Sequence, residues 1–497
     1  MKDRRRIPQV IIVLALVLID SHTAAAQGFG NPLTIQGMEN ITAPSAASRG
    51  AGGVTIAIRN DISLMFLDPA SLQTIDGARI SLGGPQEYSS AQQTQQYAPL
   101  KYYSNFSLLM EGLTGYISNP DTTRTGVRYN NAGDSVQRPF DKIEPNWSRS
   151  KTASLPVQFF AAMPFMVEGM KLTVGAGAVR YASLNWYFQN NNVLSPSILS
   201  VKQSTVTIPV NNADSLAIPV KWYQSVQSRE GSITGYGGAI SLGISPGISV
   251  GISGMILGGS SDDKEERVDR GKIKFYSNYI KLDSVYNRST ATGTSDYSGQ
   301  EFTLSGAYRS EHIALGFSVK PPTTITRKFH ATVQSDTTGV SRVTTVSGQD
   351  KLLLPFRGKV GFSIGLREGL TLGLEYEMRP YASAEYKKSG SPTTKPWLSS
   401  NLLHVGGEFT PLPWLALRLG VAEQAEVFEP VGAALESEPV GYSMYTIGAG
   451  VKYEGVLLNA AFEYASISYT DKWSNAVSIN HEIRRSVIAD VSYELPW

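Results

Sequence analysis

From Gly77 onward the chain alternates. Phe356, Val360, Phe362, Ile364 and Leu366 share one parity; Arg357, Lys359, Gly361, Ser363 and Gly365 share the other. Arg367-Glu368-Gly369 interrupts, and then Leu370, Leu372, Leu374, Tyr376 and Met378 alternate with Thr371, Gly373, Glu375, Glu377 and Arg379. A period of two places each set on its own face of a strand, so the stretch predicts a hairpin with one apolar and one polar face. The same arrangement recurs around Pro246-Gly247, Arg309-Ser310-Glu311, Pro411-Leu412-Pro413 and Glu454-Gly455. Carried along the chain, it predicts about fourteen strands, at 77–84, 155–166, 170–187, 231–245, 247–260, 300–309, 311–321, 355–367, 369–382, 399–410, 413–424, 441–453, 455–469 and 481–496.

The connections between these strands alternate between short and long. Six are tight turns; the long ones, read as loops, are roughly 85–154, 188–230, 261–299, 322–354, 383–398, 425–440 and 470–480. An even strand count, with short turns at one end and long connections at the other, is the pattern of a transmembrane barrel. The expected fold is therefore all-β: a transmembrane antiparallel β-barrel of about 14 strands. The polar parity carries Arg357, Lys359, Glu375, Glu377, His404, Glu408, Arg418, Glu463, Arg484, Asp490 and Glu494. These are assigned to the lumen, because a charge facing lipid costs roughly 2–4 kcal/mol at the midplane. On the last strand Val487, Ala489, Val491, Tyr493 and the terminal Trp497 share the lipid face, and Arg485 alone breaks the pattern, near the interface. A terminal aromatic on that face looks like the signal read by outer-membrane assembly machinery, a first expected partner beside outer-membrane lipid.

Composition sharpens this picture. The 497 residues include 47 Gly, 24 Tyr and 17 Phe, and only 17% are charged, which suits a barrel better than a soluble exported protein. Cysteine is absent, which excludes disulfides, thiolate chemistry and a lipidated cysteine. A net charge of +2, without a basic cluster interleaved with aromatics, argues against nucleic acid. Residues 1–26 carry the layout of a secretory signal peptide: Lys2, Arg4, Arg5 and Arg6, then the apolar run Val10 to Ile19, then Ala24-Ala25-Ala26. The apolar run is too short for a spanning helix, which needs about twenty residues.

The segment before the first strand is of another kind. Residues 45–84, SAASRGAGGVTIAIRNDISLMFLDPASLQTIDGARISLGG, place Arg49-Gly50-Ala51-Gly52, Ala57, Asn60-Asp61 and Asp68-Pro69-Ala70-Ser71-Leu72 ahead of the alternation. This resembles the start of the FadL family of outer-membrane transporters for hydrophobic compounds, with Asp68 standing where that family usually has Asn. The resemblance implies an N-terminal hatch, or plug, of residues 27–76 inside the lumen of a barrel formed by 77–497. Gly50, Gly52, Asp61, Asp68, Pro69 and Ala70 are the plug-motif residues. The physics agrees: fourteen strands enclose a space too wide for their own side chains to fill. Ile56, Ile58, Ile62, Leu64, Phe66 and Leu67 are also too apolar for a free arm in water.

Tempting catalytic matches weaken in context. Gly-x-Ser-x-Gly occurs at Gly243–Gly247, Gly247–Gly251 and Gly361–Gly365, but on or between strands, where a nucleophile elbow needs a strand-to-helix turn. His22, His312, His330, His404 and His481 lack metal-ligand spacing, and His404 reads as a lumenal polar group. Neither an enzyme nor a cofactor or metal is expected. Asp262-Asp263-Lys264-Glu265-Glu266 reads as solvated loop, with a divalent-ion or lipopolysaccharide contact as the lesser alternative. Phe106, Leu108, Leu109, Met110 and Leu113 form an apolar cluster in the first long connection, either packed into the barrel mouth or forming a ligand-capture groove. Gly175 and Gly177 lie on the third strand, where the family resemblance implies a kink that lets ligand leave sideways; they serve equally as small lumenal residues that make room for the plug. The function expected is passive uptake, through the outer membrane, of a hydrophobic small molecule such as a fatty acid or hydrocarbon, past an apolar pocket beside the plug. The rival is a FadL-like barrel that hands cargo proteins to a type IX-like secretion system.

Overall fold

The structure is a computed structural model that describes residues 37–39, 41, 43–97, 146–154, 157–195, 211–215, 217–276, 280–337, 339–388, 390–430, 438–473 and 476–495. Its strands are β1 (Arg79–Tyr97), β2 (Trp147–Ser154), β3 (Gln158–Val167), β4 (Met170–Ser183), β5 (Trp186–Ser195), β6 (Ile218–Ser245), β7 (Ile248–Phe275), β8 (Ile280–Arg309), β9 (Ile313–Lys320) and β10 (Thr323–Thr337). They continue with β11 (Val340–Leu354), β12 (Arg357–Arg367), β13 (Leu370–Met378), β14 (Glu385–Lys387), β15 (Thr393–Thr394), β16 (Leu402–Leu412), β17 (Leu415–Ala425), β18 (Gly441–Tyr453), β19 (Val456–Trp473) and β20 (Ala476–Glu494).

Fourteen of these close a ring in the order β1, β3, β4, β6, β7, β8, β9, β12, β13, β16, β17, β18, β19 and β20, every pairing antiparallel. Closure is made by β20 against β1, in unbroken register from Arg79↔Glu494 to Tyr97↔Ala476. A closed ring leaves no free edge within the bilayer, where unpaired backbone groups are too costly. The six tight turns fall where the alternation places them, between β3 and β4, β6 and β7, β8 and β9, β12 and β13, β16 and β17, and β18 and β19. Glu454 and Gly455 both have positive φ (44° and 80°), the backbone of a two-residue hairpin whose twist matches its strands.

The parity assignment holds around the ring. Val250, Ile252, Leu315, Phe317, Val360, Leu374, Leu419, Ile447, Leu458 and Val491 are exposed on the outside, and form the lipid-facing belt. Arg357, Glu375, His404, Arg418, Glu463 and Asp490 are buried on the inside.

The long connections are not the loops the sequence suggests. β7 and β8 run through most of 261–299, β10 and β11 form a hairpin over most of 322–354, and β19 and β20 run up to residues 473 and 476. β2, β5, β10, β11, β14 and β15 widen this continuation into a sheet that rises beyond the ring. Outside the bilayer neither face must be apolar, so the hydropathy alternation fades while the hydrogen-bonded ladder continues.

The acidic run 262–266 lies on β7, and there the solvated-loop expectation fails. Asp263 and Glu265 are buried. Asp263 accepts from Arg229 Nε at 2.6 Å and from Ser295 Oγ at 2.5 Å, and lies 3.6 Å from Arg327 Nη2. Arg327 donates to Asp350 at 2.7 Å, and the Tyr386 hydroxyl donates to the same carboxylate at 3.0 Å. One ionic network thus ties β6, β7, β8, β10, β11 and β14 together.

Candidate functional site in the lumen

Residues 43–76 lie inside the ring. Ser45 caps α1 (Ala46–Gly50), its side chain accepting from Ser48 N. Asp61 caps a 3-10 turn, Ile62–Phe66, and Pro69 opens a second, Pro69–Thr74. Short turns with buried Ile62, Leu64, Met65, Phe66 and Leu72 make a compact body rather than an arm.

Glycine lets this body touch the wall. A Cβ added to Gly50 would come 2.9 Å from the Cα of Gly448, and one on Gly52, whose φ is +70°, would come 2.7 Å from the Val405 carbonyl oxygen. The wall answers with glycines of its own. A Cβ on Gly406 would meet the Ala51 oxygen at 2.1 Å, on Gly420 the Gly52 nitrogen at 2.2 Å, and on Gly251 the backbone of Pro69 and Ala70 at 2.5 Å. Backbone therefore packs on backbone at both ends of the segment.

Charged lumenal side chains complete the contact. Arg49 forks onto Glu463, and donates also to Ser486 at 2.9 Å. Thr55 N and Ile56 N both donate to Glu375 Oε1, at 2.6 and 2.5 Å, while Lys359 stands 3.1 Å from that carboxylate. Ala46 N donates to Asp490 at 3.1 Å, Ala70 N to Ser305 at 2.8 Å, and Arg309 to Asp68 at 3.4 Å. His404 Nδ1 lies 2.9 Å from the Gly52 oxygen, as suits a lumenal polar group. The plug-motif residues Gly50, Gly52, Asp61, Asp68, Pro69 and Ala70 all belong to this body or its contact with the wall.

Above the segment, toward the sheet extension, the lumen holds a cavity of about 380 Å³. Arg49, Gly53 and Leu67 form part of its floor; Arg180, Lys320, Arg357, Lys359, Arg379, Glu377 and His404 stand around it, and Tyr381, Leu402, Tyr442 and Met444 supply apolar surface. Nine Lys and Arg side chains and six Glu line it, so the apolar pocket expected beside the plug is a mixed one with an excess of positive charge. The reason is the polar parity itself: every second residue of the strands points here. A neighbouring cavity of about 180 Å³ shares Lys151, Glu426 and Arg484 with the first and adds Trp186, Tyr187, Phe188, Phe428 and Tyr469. Arg149 stacks 4.1 Å over the Tyr187 ring at its wall.

Gly175 and Gly177 both face inward. A Cβ on Gly175 would reach Met65 Cε at 2.9 Å, and one on Gly177 would reach Phe160 Cδ1 at 2.7 Å, so the two glycines make room for inner side chains. The β3–β4 and β4–β6 ladders run past them without a break, and the irregularity of β4 lies later, between Arg180 and Ala182. Phe106, Leu108, Leu109, Met110 and Leu113 lie outside the described residues, as do Trp497 and the signal-peptide region. The Gly-x-Ser-x-Gly matches fall on strands or on the turn between β6 and β7. Sequence reasoning missed the wall glycines Gly251, Gly406, Gly420 and Gly448 as a docking track. Their signal was present, as glycine on the lumenal parity of several strands.

The fold and this interior define a closed fourteen-strand membrane barrel with an internal N-terminal segment and a lumenal cavity above it. That fold is shared with several solved structures. A Pseudomonas aeruginosa FadL homologue matches with a TM-score of 0.56 at 12% identity, over 92% of this chain and 99% of its own. The Pseudomonas putida toluene transporter TodX matches with a TM-score of 0.54 at 10% identity, over 91% and 99%. The Ralstonia pickettii toluene transporter TbuX gives 0.50 at 13%, over 92% and 100%. No protein-family model matches the chain, and no curated protein matches its sequence.

Proposed function

We propose that the chain is an outer-membrane channel for passive uptake of hydrophobic compounds, with residues 27–76 as its hatch. The carrying observation is the cavity of about 380 Å³ that rests directly on that segment, inside a fold otherwise found in hydrocarbon and FadL-type channels. Ligand enters from the side of the sheet extension, settles in the cavity, and leaves when the hatch or the wall shifts. The tight-turn end faces the periplasm, and sideways exit past β4 requires the ladder that is continuous at Gly175 and Gly177 to open. No energy source enters this scheme.

The lining selects among hydrophobic ligands. An excess of Arg and Lys over Glu beside Tyr381, Leu402 and Met444 suits an amphiphile with an anionic head, such as a long-chain fatty acid, over a neutral hydrocarbon. Purification in mild detergent followed by mass spectrometry tests this. Fatty acid retained by the intact protein and lost from Arg357→Ala supports the reading. Retention of neutral hydrocarbon alone overturns the fatty-acid assignment, and retention of neither by protein that imports neither overturns uptake.

A further inference from the structure

The sheet extension ends in a free edge. β11 pairs with β10 along its whole length, from Val340↔Thr337 to Leu354↔Thr323, without a register shift. On its other side it meets β14 through three residues alone, Lys351↔Lys387, Leu352↔Tyr386 and Leu353↔Glu385. Among the described residues, Val340 to Gln349 thus turn one row of backbone groups toward no neighbouring strand. Every residue from Val340 to Ser347 is exposed, on both faces of the sheet, and Val343 keeps 66% of its surface.

Natural sheets blunt such an edge with Lys, Pro, a bulge or a cover, because a long flat apolar edge is a template for another strand. Here Val340-Ser341-Arg342-Val343-Thr344-Thr345-Val346-Ser347 is rich in β-branched residues, contains neither Lys nor Pro, and carries one charge. The local charge is positive. Lys351 and Lys387 stand directly opposite each other, both exposed, an arrangement that destabilises a strand pair; Glu385 lies diagonal to Lys351, and Arg342 lies farther along the edge.

We propose that this edge binds an extended acidic segment of another polypeptide outside the membrane, which adds to the sheet as an antiparallel strand beyond β11. Main-chain hydrogen bonds supply the affinity, and acidic side chains answer Arg342 and the Lys351–Lys387 pair. Membrane orientation excludes antiparallel pairing with the β11 edge of a second copy. β11 runs back toward the barrel, so an antiparallel partner must run away from it, whereas β11 of a copy in the same bilayer runs toward the membrane too. The assignment is independent of what the lumen transports.

The test uses full-length protein in lipid nanodiscs and a fluorescent eight-residue peptide, Glu-Val-Thr-Val-Glu-Thr-Val-Glu. The peptide is expected to bind by fluorescence anisotropy and to slow hydrogen exchange at the alternate amides of 340–349 that do not pair with β10. Arg342→Glu combined with Lys351→Glu should weaken it tenfold or more. A peptide N-methylated at alternate backbone amides should not bind; that control leaves the protein unaltered and holds whatever the variant's folding. The proposal falls if the peptide fails to bind, or if a Lys-for-Glu peptide binds equally well. It falls also if the alternate amides of 340–349 that do not pair with β10 are slow before any peptide is added, because another part of the chain then covers the edge. Dimerisation that protects those amides would assign the edge to a second copy instead.

Discussion

Arg49 and Glu463 join the inner segment to the wall: Arg49 Nε donates to Glu463 Oε1 at 2.6 Å, and Nη2 donates to the other carboxylate oxygen. Both side chains are almost wholly buried. Removing one partner of such a pair strands the other charge, at about 3–5 kcal/mol. Glu463→Ala should therefore loosen the segment without preventing barrel insertion. In planar bilayers the variant should open far more often than the parent. Deletion of residues 27–74 should conduct steadily, and equal conductance of parent and deletion would show that the segment does not close the lumen.

The glycine track makes a steric prediction. Gly420→Val places its Cβ 2.2 Å from the Gly52 nitrogen, and Gly406→Val 2.1 Å from the Ala51 oxygen. Neither backbone can yield by a rotamer change. Each variant should insert normally, yet expose residues 45–60 to protease and raise conductance. Gly258→Ala is the control, since its added Cβ meets nothing within 4 Å.

The buried network of the sheet extension stands apart from the barrel wall. Asp263→Ala leaves Arg229 and Arg327 short of a carboxylate, and should destabilise the extension by about 3–5 kcal/mol. Protease should then cut within 260–300, while the barrel's resistance to heat in detergent stays as in the parent. Loss of barrel stability would mean that the two parts are one cooperative unit.

Glu265 gives that extension a pH dependence. Burial pushes its carboxyl up to about 7, against the neighbouring Gln227 amide and the charges of Arg267 and Lys388. The native state thus holds this proton more tightly than the unfolded state does. The group's stabilisation is complete below about 4.5 and is lost as pH rises through about 7, by about 3 kcal/mol at most. A cysteine introduced at Ala291 supplies a probe in a chain that has none. Its labelling rate, taken relative to the same probe in Glu265→Gln, should rise between pH 5 and 8. A flat ratio would place the Glu265 carboxyl in water.

Capture of ligand by the first long connection is tested by Leu108, Leu109 and Met110 replaced together with Asn. Each buried CH₂ is worth about 0.8 kcal/mol, so uptake of a hydrophobic substrate should fall on the order of tenfold or more if the cluster binds it. Barrel insertion depends on the strands and should not change. Unchanged uptake at equal surface levels would remove this segment from the transport path.

Much of the architecture follows from one local rule. In the bilayer each strand must show apolar side chains to lipid, so Leu370, Leu372 and Leu374 against Thr371, Gly373 and Glu375 are enough to assign faces, turns and ring size. The internal body was legible as well, because Gly50, Gly52 and Asp68-Pro69-Ala70 interrupt that rule just before it begins. Three features depended on the tertiary structure. Asp263 is a buried ion-pair partner only because Arg229, thirty-four residues away, and Arg327 are brought beside it by strand register. Gly406 and Gly420 are ordinary small residues until Ala51 and Gly52 arrive against them. The cavity takes its positive lining from five strands, β2, β4, β9, β12 and β20, together with Arg49 of the inner segment and Arg379 just past β13. Alternation encodes which face a residue takes; only closure of the ring determines which other residues share that face with it.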